Sequence, residues 1–165
     1  MMIRTASIGD GAFIRELAHE FDRYGTQYVA VFSAMLNGNR GGLPPHVQRQ
    51  QLQFFLAGEE GVGKPHGFVA VGWPMPDQQL DVAQCEIHGI VTGVEFRRQG
   101  VASRLMDHVK EQAVTRGVRR LECISAQHDN PAALAFFTQR GFVNLGPAGN
   151  YPQGQRAVRL RLEVR

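Results

Sequence analysis

Two arginines and a glycine lie between a predicted strand and a predicted helix, in the segment Arg97-Arg98-Gln99-Gly100-Val101-Ala102. A helix that begins directly after such a turn points its unpaired backbone N–H groups, and the positive end of its dipole, at one place. That arrangement binds phosphate or pyrophosphate, and the arginines add mobile positive charge to it. Glycine at position 100 lets the backbone approach a phosphate closely. We call residues 97–102 the anion-binding turn.

Two other phosphate-binding motifs are excluded. The chain contains no complete G-x-x-x-x-G-K-[ST] segment and no G-x-G-x-x-G fingerprint. A P-loop nucleotide site and a dinucleotide-binding site would need these glycine spacings. The anion-binding turn must therefore serve a phosphate ligand of another kind.

The strand before the turn spans about residues 84–92. Its alternation places Glu86 and His88 on one side of the pleat, with Cys85 and Ile87 on the other. Gly89, inside this strand, suggests a β-bulge or a close backbone approach. The helix after the turn has a buried face, formed by apolar residues that recur every four positions from Val101 onwards.

The remaining elements follow from periodicity and from turn signals. A first strand precedes a helix capped by Asp10, a weaker helix follows, and the segment 37–45 predicts a loop. Two strands then form a hairpin, which the segment starting at Trp73 interrupts, and the C-terminal strand resembles an amphipathic edge strand. The predicted order is β-α-α-β-β-β-α-β-α-β-β, an α/β class with a mixed sheet and helices on its faces. The strands span about 2–7, 51–57, 67–72, 84–92, 120–126, 142–143 and 156–164.

Composition predicts one globular domain over residues 1–165, because 43% of the residues are hydrophobic and only 20% are charged. A net charge of +3 is too small to indicate nucleic-acid binding. No apolar run approaches the roughly 18 residues of a membrane span, and the N-terminus lacks the features of a secretory signal, so we expect a cytoplasmic protein. The cysteines and histidines lack metal-ligand spacing, so no metal site is expected, and His108 is predicted to be solvated.

Residues 84–142 resemble the acyl-CoA-binding core of the GCN5-related N-acetyltransferase (GNAT) superfamily. The anion-binding turn matches that family's Gln/Arg-x-x-Gly-x-Gly/Ala motif. A second signature, which opens with Asn130 and closes with Gly141-Phe142, stands at the family's usual separation. The resemblance implies a mostly antiparallel sheet that is splayed between two central parallel strands. It also implies acetyl-CoA as the acyl donor and direct acetyl transfer to a primary amine.

The resemblance assigns binding roles residue by residue. The main chain of Ile90, Val91 and Thr92 would pair with the pantetheine arm as an added strand. Asn130 would reach the pantetheine, and Ala133 and Phe137 would line the thioester end. The pyrophosphate would be held by the anion-binding turn together with the next residue, that is by Arg97, Arg98, Gln99, Gly100, Val101, Ala102 and Ser103.

Acetyl transfer needs a base, an oxyanion donor and an acid for the departing thiolate. Glu86 stands where many family members carry a general-base glutamate, and His88 is the second candidate because it titrates in the right range. The oxyanion donor would be a backbone N–H near Val91. Many family members have tyrosine as the acid at the position of Phe137, which has no proton to give, so Tyr151 or Ser125 would have to replace it. Because both cysteines are predicted to be buried in strands, we expect no acetyl-cysteine route.

The acceptor is left open. One alternative is a non-catalytic acyl-CoA-binding sensor or regulatory module, motivated by Phe137, and another is a modifier of peptide or protein amines. Residues 22–50 and 144–156 would set acceptor specificity, and they contain few acidic groups. Separately, Asp22, Asp77 and Asp81 are candidate contacts for a cationic acceptor. The apolar face of the C-terminal strand permits either a homodimer or the covering of the chain's own core; it comprises Val158, Leu160, Leu162 and Val164.

Overall fold

The computed structural model describes residues 1–22, 28–59, 63–75, 84–127, 130–150 and 156–165. It confirms the predicted order of the strands and of the longer helices. The strands are β1 Met2–Thr5, β2 Gln50–Gly58, β3 Gly67–Pro74, β4 Gln84–Thr92, β5 Arg120–Gln127, β6 Val143–Asn150 and β7 Arg156–Glu163. The helices are α1 Gly11–Asp22, α2 Tyr28–Leu36, α3 Pro45–Gln48, α4 Val101–Thr115 and α5 Pro131–Gln139, and short 3₁₀ turns span Ile8–Asp10, Arg40–Gly42 and Val94–Phe96.

The seven strands form one sheet in the order β1-β2-β3-β4-β5-β7-β6. Among the described strands only β4 and β5 run parallel, so the sheet is mixed, as the sequence predicts, and mostly antiparallel, as the family resemblance implies. The prediction that the C-terminal strand is an edge strand is wrong. β7 lies between β5 and β6, and β6 forms the edge, because the last two strands return as an antiparallel pair whose second member joins β5.

The two parallel strands separate part-way along their length. They pair through Gln84–Arg120, Cys85–Leu121 and Glu86–Glu122, although β4 continues to Thr92 and β5 to Gln127. Beyond Glu86 a gap therefore opens between them, which is the predicted splay.

Helices cover both faces of the sheet. One core lies under α4 and α5 and includes Leu105, Val109 and Phe137; the other lies under α1 and α2 and includes Ile14 and Phe32. The apolar side chains of β7, among them Leu160, belong to the first core, so that strand's alternation is used to bury the chain's own interior.

A β-bulge in β4 reverses which face each residue occupies. Ile87 pairs with Val71 of β3 and Gly89 pairs with the preceding residue of β3, Ala70, so His88 is the inserted residue. Before the bulge, Ile87 packs into the core under α4; after it, Val91 packs into the core under α1 and α2. The predicted irregularity at Gly89 is thus confirmed.

Three local predictions differ from the structure. The segment 37–45, predicted as a loop, includes the 3₁₀ turn Arg40–Gly42 and ends on Pro45, the first residue of α3. β3 continues through Trp73 to Pro74 instead of ending before them. His108 is not a solvated side chain. Its ring packs edge-on against Phe55 with centroids 4.7 Å apart, and burial lowers the pKa of its imidazole.

Candidate active site

The anion-binding turn has the backbone shape that the sequence predicts. Arg98 and Gly100 adopt left-handed conformations, with φ of 62° and 78°, and α4 begins at the next residue. The first i to i−4 bond of α4 runs from the Arg104 N–H to the Gly100 carbonyl at 3.0 Å. The N–H groups of Val101, Ala102 and Ser103 therefore have no acceptor inside the helix. A Cβ at Gly100 would meet no atom within 4 Å, so the space in front of the turn is open.

Contacts on its N-terminal side hold the turn in place. The Gln99 amide donates to the Glu95 carbonyl at 2.8 Å, so this side chain binds the 3₁₀ turn that precedes the anion-binding turn. Phe96 stacks on His66, with ring centroids 3.9 Å apart, and the Gly93 N–H donates to the His66 carbonyl at 2.9 Å. The two contacts with His66 tie the segment before the turn to the residue that directly precedes β3.

The predicted pantetheine-binding segment lies on the open edge of β4. A Cβ at Gly67 of β3 would clash with the carbonyl oxygen of Val91, so that carbonyl points toward β3. The N–H and C=O of one strand residue point to the same side. The main-chain groups of Ile90 and Thr92 therefore face the gap toward β5, whereas those of Val91 face β3. The oxyanion donor was predicted to be a backbone N–H near Val91. Of the N–H groups there, those of Ile90 and Thr92 face the gap and that of Val91 does not.

The residues of the second signature lie at the start of α5 and along it. The side chain of Asn130 caps this helix by accepting from the Ala133 N–H at 3.1 Å, which leaves only its amide NH₂ to donate to a ligand. Phe137 is 3% exposed and packs edge-on against Phe136 and Phe142. It is thus a core residue as well as a candidate wall of the thioester site.

The two predicted catalytic residues are brought together, with two residues that sequence reasoning missed. The Gln50 amide donates to Glu86 Oε2 at 2.7 Å, and the Gln50 oxygen lies 2.7 Å from His88 Nε2. His88 Nδ1 lies 3.8 Å from Glu86 Oε1, and His46 Nε2 lies 3.6 Å from Glu86 Oε2. We call these four residues, Gln50, Glu86, His88 and His46, the carboxylate cluster.

The cluster combines buried and exposed members. The side chains of Glu86 and His88 are 12% and 9% exposed, whereas that of His46 is 60% exposed. Burial lowers the pKa of His88 more than the neighbouring Glu86 raises it, and His46 lowers it further, so the imidazole is neutral at pH 7. Because Gln50 donates to Glu86, its oxygen must accept from His88, which places the single imidazole proton on Nε2. The Nδ1 lone pair therefore faces Glu86.

Gly72 makes room for this arrangement. It pairs with Glu86 in the neighbouring strand, and a Cβ at this position would overlap the Gln50 side-chain oxygen and lie 2.7 Å from His88 Nε2. Nothing in the sequence could have identified Gln50 or Gly72, because their roles follow from pairing between β2, β3 and β4. His46 and Gln50 do lie within the range 22–50, which was predicted to set acceptor specificity.

Other candidates carry no chemistry in the described part of the chain. Cys85 and Cys123 are buried, and burial together with Glu86 raises the pKa of the Cys85 thiol, so a cysteine nucleophile is disfavoured. The described residues contain no cluster of three metal-binding side chains and no helix that could cross a membrane. Tyr151, Asp77 and Asp81 lie outside the described residues, as do the side chains of Asp22 and Ser125.

Changing Gly72 to alanine should disturb the carboxylate cluster while leaving the fold intact, because the clashing atoms belong to flexible side chains. With Gln50 displaced, His88 loses its hydrogen-bond acceptor and gains contact with water, which moves its pKa back toward the ordinary value. We expect kcat/KM for acetyl transfer to fall at least tenfold, and its acid limb to shift to higher pH.

The measurement is a pH–rate profile of Gly72→Ala beside Gly42→Ala, whose added Cβ meets no atom within 4 Å. The control should reproduce the unmodified profile. An unchanged acid limb in Gly72→Ala, with an unchanged rate, would show that the Gln50 bridge has no part in the chemistry.

The structure has two features that the resemblance to an acyl-CoA-binding transferase fold implies: a helix whose free N–H groups face open space, and two adjacent parallel strands that separate. The family model described as Acetyltransferase (GNAT) family matches residues 15–142. The chain belongs to the GNAT family of acetyltransferases. This confirms the family resemblance.

Individual relatives agree with this assignment. An uncharacterized N-acetyltransferase of Methanocaldococcus jannaschii is 34% identical over 98 residues, which cover 58% of this chain and 41% of that protein. This chain thus matches about two fifths of its relative's length. An N-acetyltransferase structure from Staphylococcus aureus has a TM-score of 0.72 at 19% identity, covering 99% of this chain and 98% of that one. The NatC complex, solved with a Gag peptide and CoA, gives 0.73 at 16% identity, covering 99% and 98%. These two structures share the fold.

Proposed function

We propose that the protein transfers an acetyl group from acetyl-CoA directly to a primary amine within a ternary complex. The observation that carries this proposal is the position of Glu86. Its carboxylate is largely buried, is oriented by Gln50, and stands where β4 and β5 separate, four residues before the segment proposed to pair with pantetheine. A base at that place would lie beside the thioester end of a donor held along β4.

The donor would be held by main chain and by charge. The free N–H groups at the start of α4 would bind the pyrophosphate, with Arg97 and Arg98 exposed beside them. Ile90 and Thr92 would pair with the pantetheine amides, and the Asn130 NH₂ would donate to the same arm. The gap between the strands would then direct the thioester toward Glu86.

The carboxylate cluster would supply the base. Acceptor amines are ammonium ions at neutral pH, and attack on the thioester requires the neutral amine. Glu86 would take the proton, directly or through one water, and His88 would offer its Nδ1 lone pair to the protonated carboxyl. His46, in contact with Glu86 and with solvent, would pass the proton to bulk water. Because His88 is buried and neutral, it adds no positive charge that would oppose the attraction between Glu86 and the ammonium group.

Departure of the CoA thiolate requires less catalytic assistance than deprotonation of the amine does. A main-chain N–H that faces the gap, from Ile90 or Thr92, would stabilise the oxyanion of the tetrahedral intermediate. Collapse of that intermediate breaks the C–S bond and releases a thiolate, which is stable enough near neutral pH to leave without a strong acid. The lack of a hydroxyl group at Phe137 would therefore slow this step without preventing it.

The test is release of the free CoA thiol from acetyl-CoA in the presence of a panel of primary amines, with mass spectrometry of the acetylated product. We expect release that depends on the amine and saturates with it. Tight acetyl-CoA binding with no release from any amine would favour the alternative of an acyl-CoA-binding sensor or regulatory module.

A further inference from the structure

A second charged cluster lies beside the carboxylate cluster. Glu122 of β5 is 1% exposed and binds two arginines of β7. Arg161 donates from Nε at 2.8 Å and from Nη2 at 2.6 Å to Oε1, and Arg159 donates from Nη1 at 3.1 Å to Oε2. We call Glu122, Arg159 and Arg161 the arginine pair site.

Strand register places this site next to Glu86. Glu86 pairs with Glu122, and Glu122 pairs with Arg161, so the three residues form one row across β4, β5 and β7. Neighbouring strands lie about 4.8 Å apart, which puts the Glu86 and Arg161 Cα atoms about 10 Å apart. All three lie on the same face of the sheet, because the residues next to them, such as Cys85, Leu121 and Leu160, pack into the core on the opposite face.

The site carries more positive charge than its own structure needs. One arginine would neutralise Glu122, yet two bind it, which leaves a net charge of +1. The second guanidinium remains available, since the Arg159 side chain is 43% exposed and only one of its five N–H donors has an acceptor among the described residues. Glu122 thus holds Arg159 in a fixed position that is open to solvent.

The charges along this row are complementary to those of a zwitterion, which carries an ammonium group and a carboxylate. Glu86 presents a negative charge where the ammonium of an acceptor must lose its proton, and the arginine pair site presents a single positive charge two strands away. We propose that the acceptor carries a carboxylate, as in an amino acid or a short peptide, and that this carboxylate binds Arg159. This inference rests on the proposed function and specifies its substrate class. The single excess positive charge favours a carboxylate over a dianionic phosphate. A polyamine has no negative charge that could bind Arg159.

The experiment compares acids with their uncharged amides as acceptors. Glycylglycine and 4-aminobutyrate are assayed by CoA release beside their carboxamides, at constant ionic strength. We expect kcat/KM to be at least tenfold higher for each acid than for its amide. In Arg159→Gln this ratio should fall toward one through a higher KM for the acid, and Arg159→Lys should restore part of it.

The matched control is Arg120→Gln. Arg120 lies on the same face of β5, two residues from Glu122, but its charge is neutralised by Glu163 at 2.9 Å. The control should keep the preference for acids. If the unmodified protein acetylates acids and amides equally well, the inference fails while the proposed function stands.

A binding measurement keeps the two proposals separate. N-acetylglycylglycine, a product of the expected reaction, is titrated calorimetrically into the protein loaded with CoA, beside its carboxamide. Tighter binding of the acid, lost in Arg159→Gln, supports the carboxylate site whether or not turnover is seen. Equal or absent binding of the two compounds overturns it.

Discussion

Replacing Glu86 with glutamine is expected to lower kcat for acetyl transfer by about 100-fold to 1,000-fold, because positioned acid–base groups contribute roughly that much. The amide has nearly the same shape as the carboxylate and cannot accept the ammonium proton. Donor binding should be unaffected, since Glu86 lies on the acceptor side of the gap. The measurement pairs steady-state thiol release with calorimetric titration of acetyl-CoA.

Two further variants show how this result is to be interpreted, one as a control and one as a test of which residue is the base. Glu16→Gln removes an exposed α1 carboxylate that pairs with Lys64, so it should leave kcat unchanged. His88→Gln should lower kcat by a smaller factor than Glu86→Gln, because the neutral imidazole acts here through the carboxylate. A larger loss in His88→Gln would reverse the assignment and make His88 the base. Unchanged turnover in Glu86→Gln would remove Glu86 from the mechanism altogether.

Local signals were sufficient to predict the backbone geometry of the anion-binding turn and the proximity of Glu86 and His88. The anion-binding turn is a contiguous segment, and Gly100 and the start of α4 determine its geometry within a few residues. The alternation of β4 likewise placed Glu86 and His88 together, and Gly89 marked the bulge beside them. Each of these features depends on neighbours along the chain, which periodicity and turn chemistry report directly.

Gln50 in the carboxylate cluster, and the arginine pair site, could not be predicted because they depend on pairing between distant strands. Gln50 reaches Glu86 only because β2 and β4 flank Gly72 of β3, and no local pattern reports that register. In the sequence, Glu122 has the pattern of an ordinary strand residue, and the strand that carries Arg159 and Arg161 was predicted to form an edge of the sheet. In the structure that strand, β7, lies beside β5, so both arginines bind the buried carboxylate of Glu122.

Phe137 shows how these two kinds of information combine. The sequence indicated that a hydroxyl common in the family is missing, and the structure shows the ring packed between Phe136 and Phe142 in the core under α4. The chain therefore uses this position for packing. In the proposed mechanism this ring supplies no proton to the thiolate, and the role proposed for the carboxylate cluster is deprotonation of the amine.

Replacing Gly100 with glutamate is expected to weaken acetyl-CoA binding at least 100-fold. The Cβ of this position faces open space in front of the free N–H groups of α4, so a carboxylate there would occupy the region proposed for the pyrophosphate. Two like charges 4 Å apart repel by about 4 kcal/mol at an effective dielectric constant of about 20, which corresponds to nearly three orders of magnitude in affinity. Calorimetric titration with acetyl-CoA measures the loss.

Backbone strain must be separated from charge in that experiment, because Gly100 has a φ of 78° that other residues adopt at a cost of about 1–2 kcal/mol. Gly100→Ala carries the same strain without the charge and should retain most of the affinity. Gly117→Glu provides the second control: Gly117 has a φ of 68°, also faces open space, and follows the opposite end of α4. It should bind acetyl-CoA normally at a similar cost in thermal stability. If Gly100→Glu binds acetyl-CoA as tightly as Gly117→Glu does, the pyrophosphate does not lie at the start of α4, and the proposed mode of donor binding is wrong.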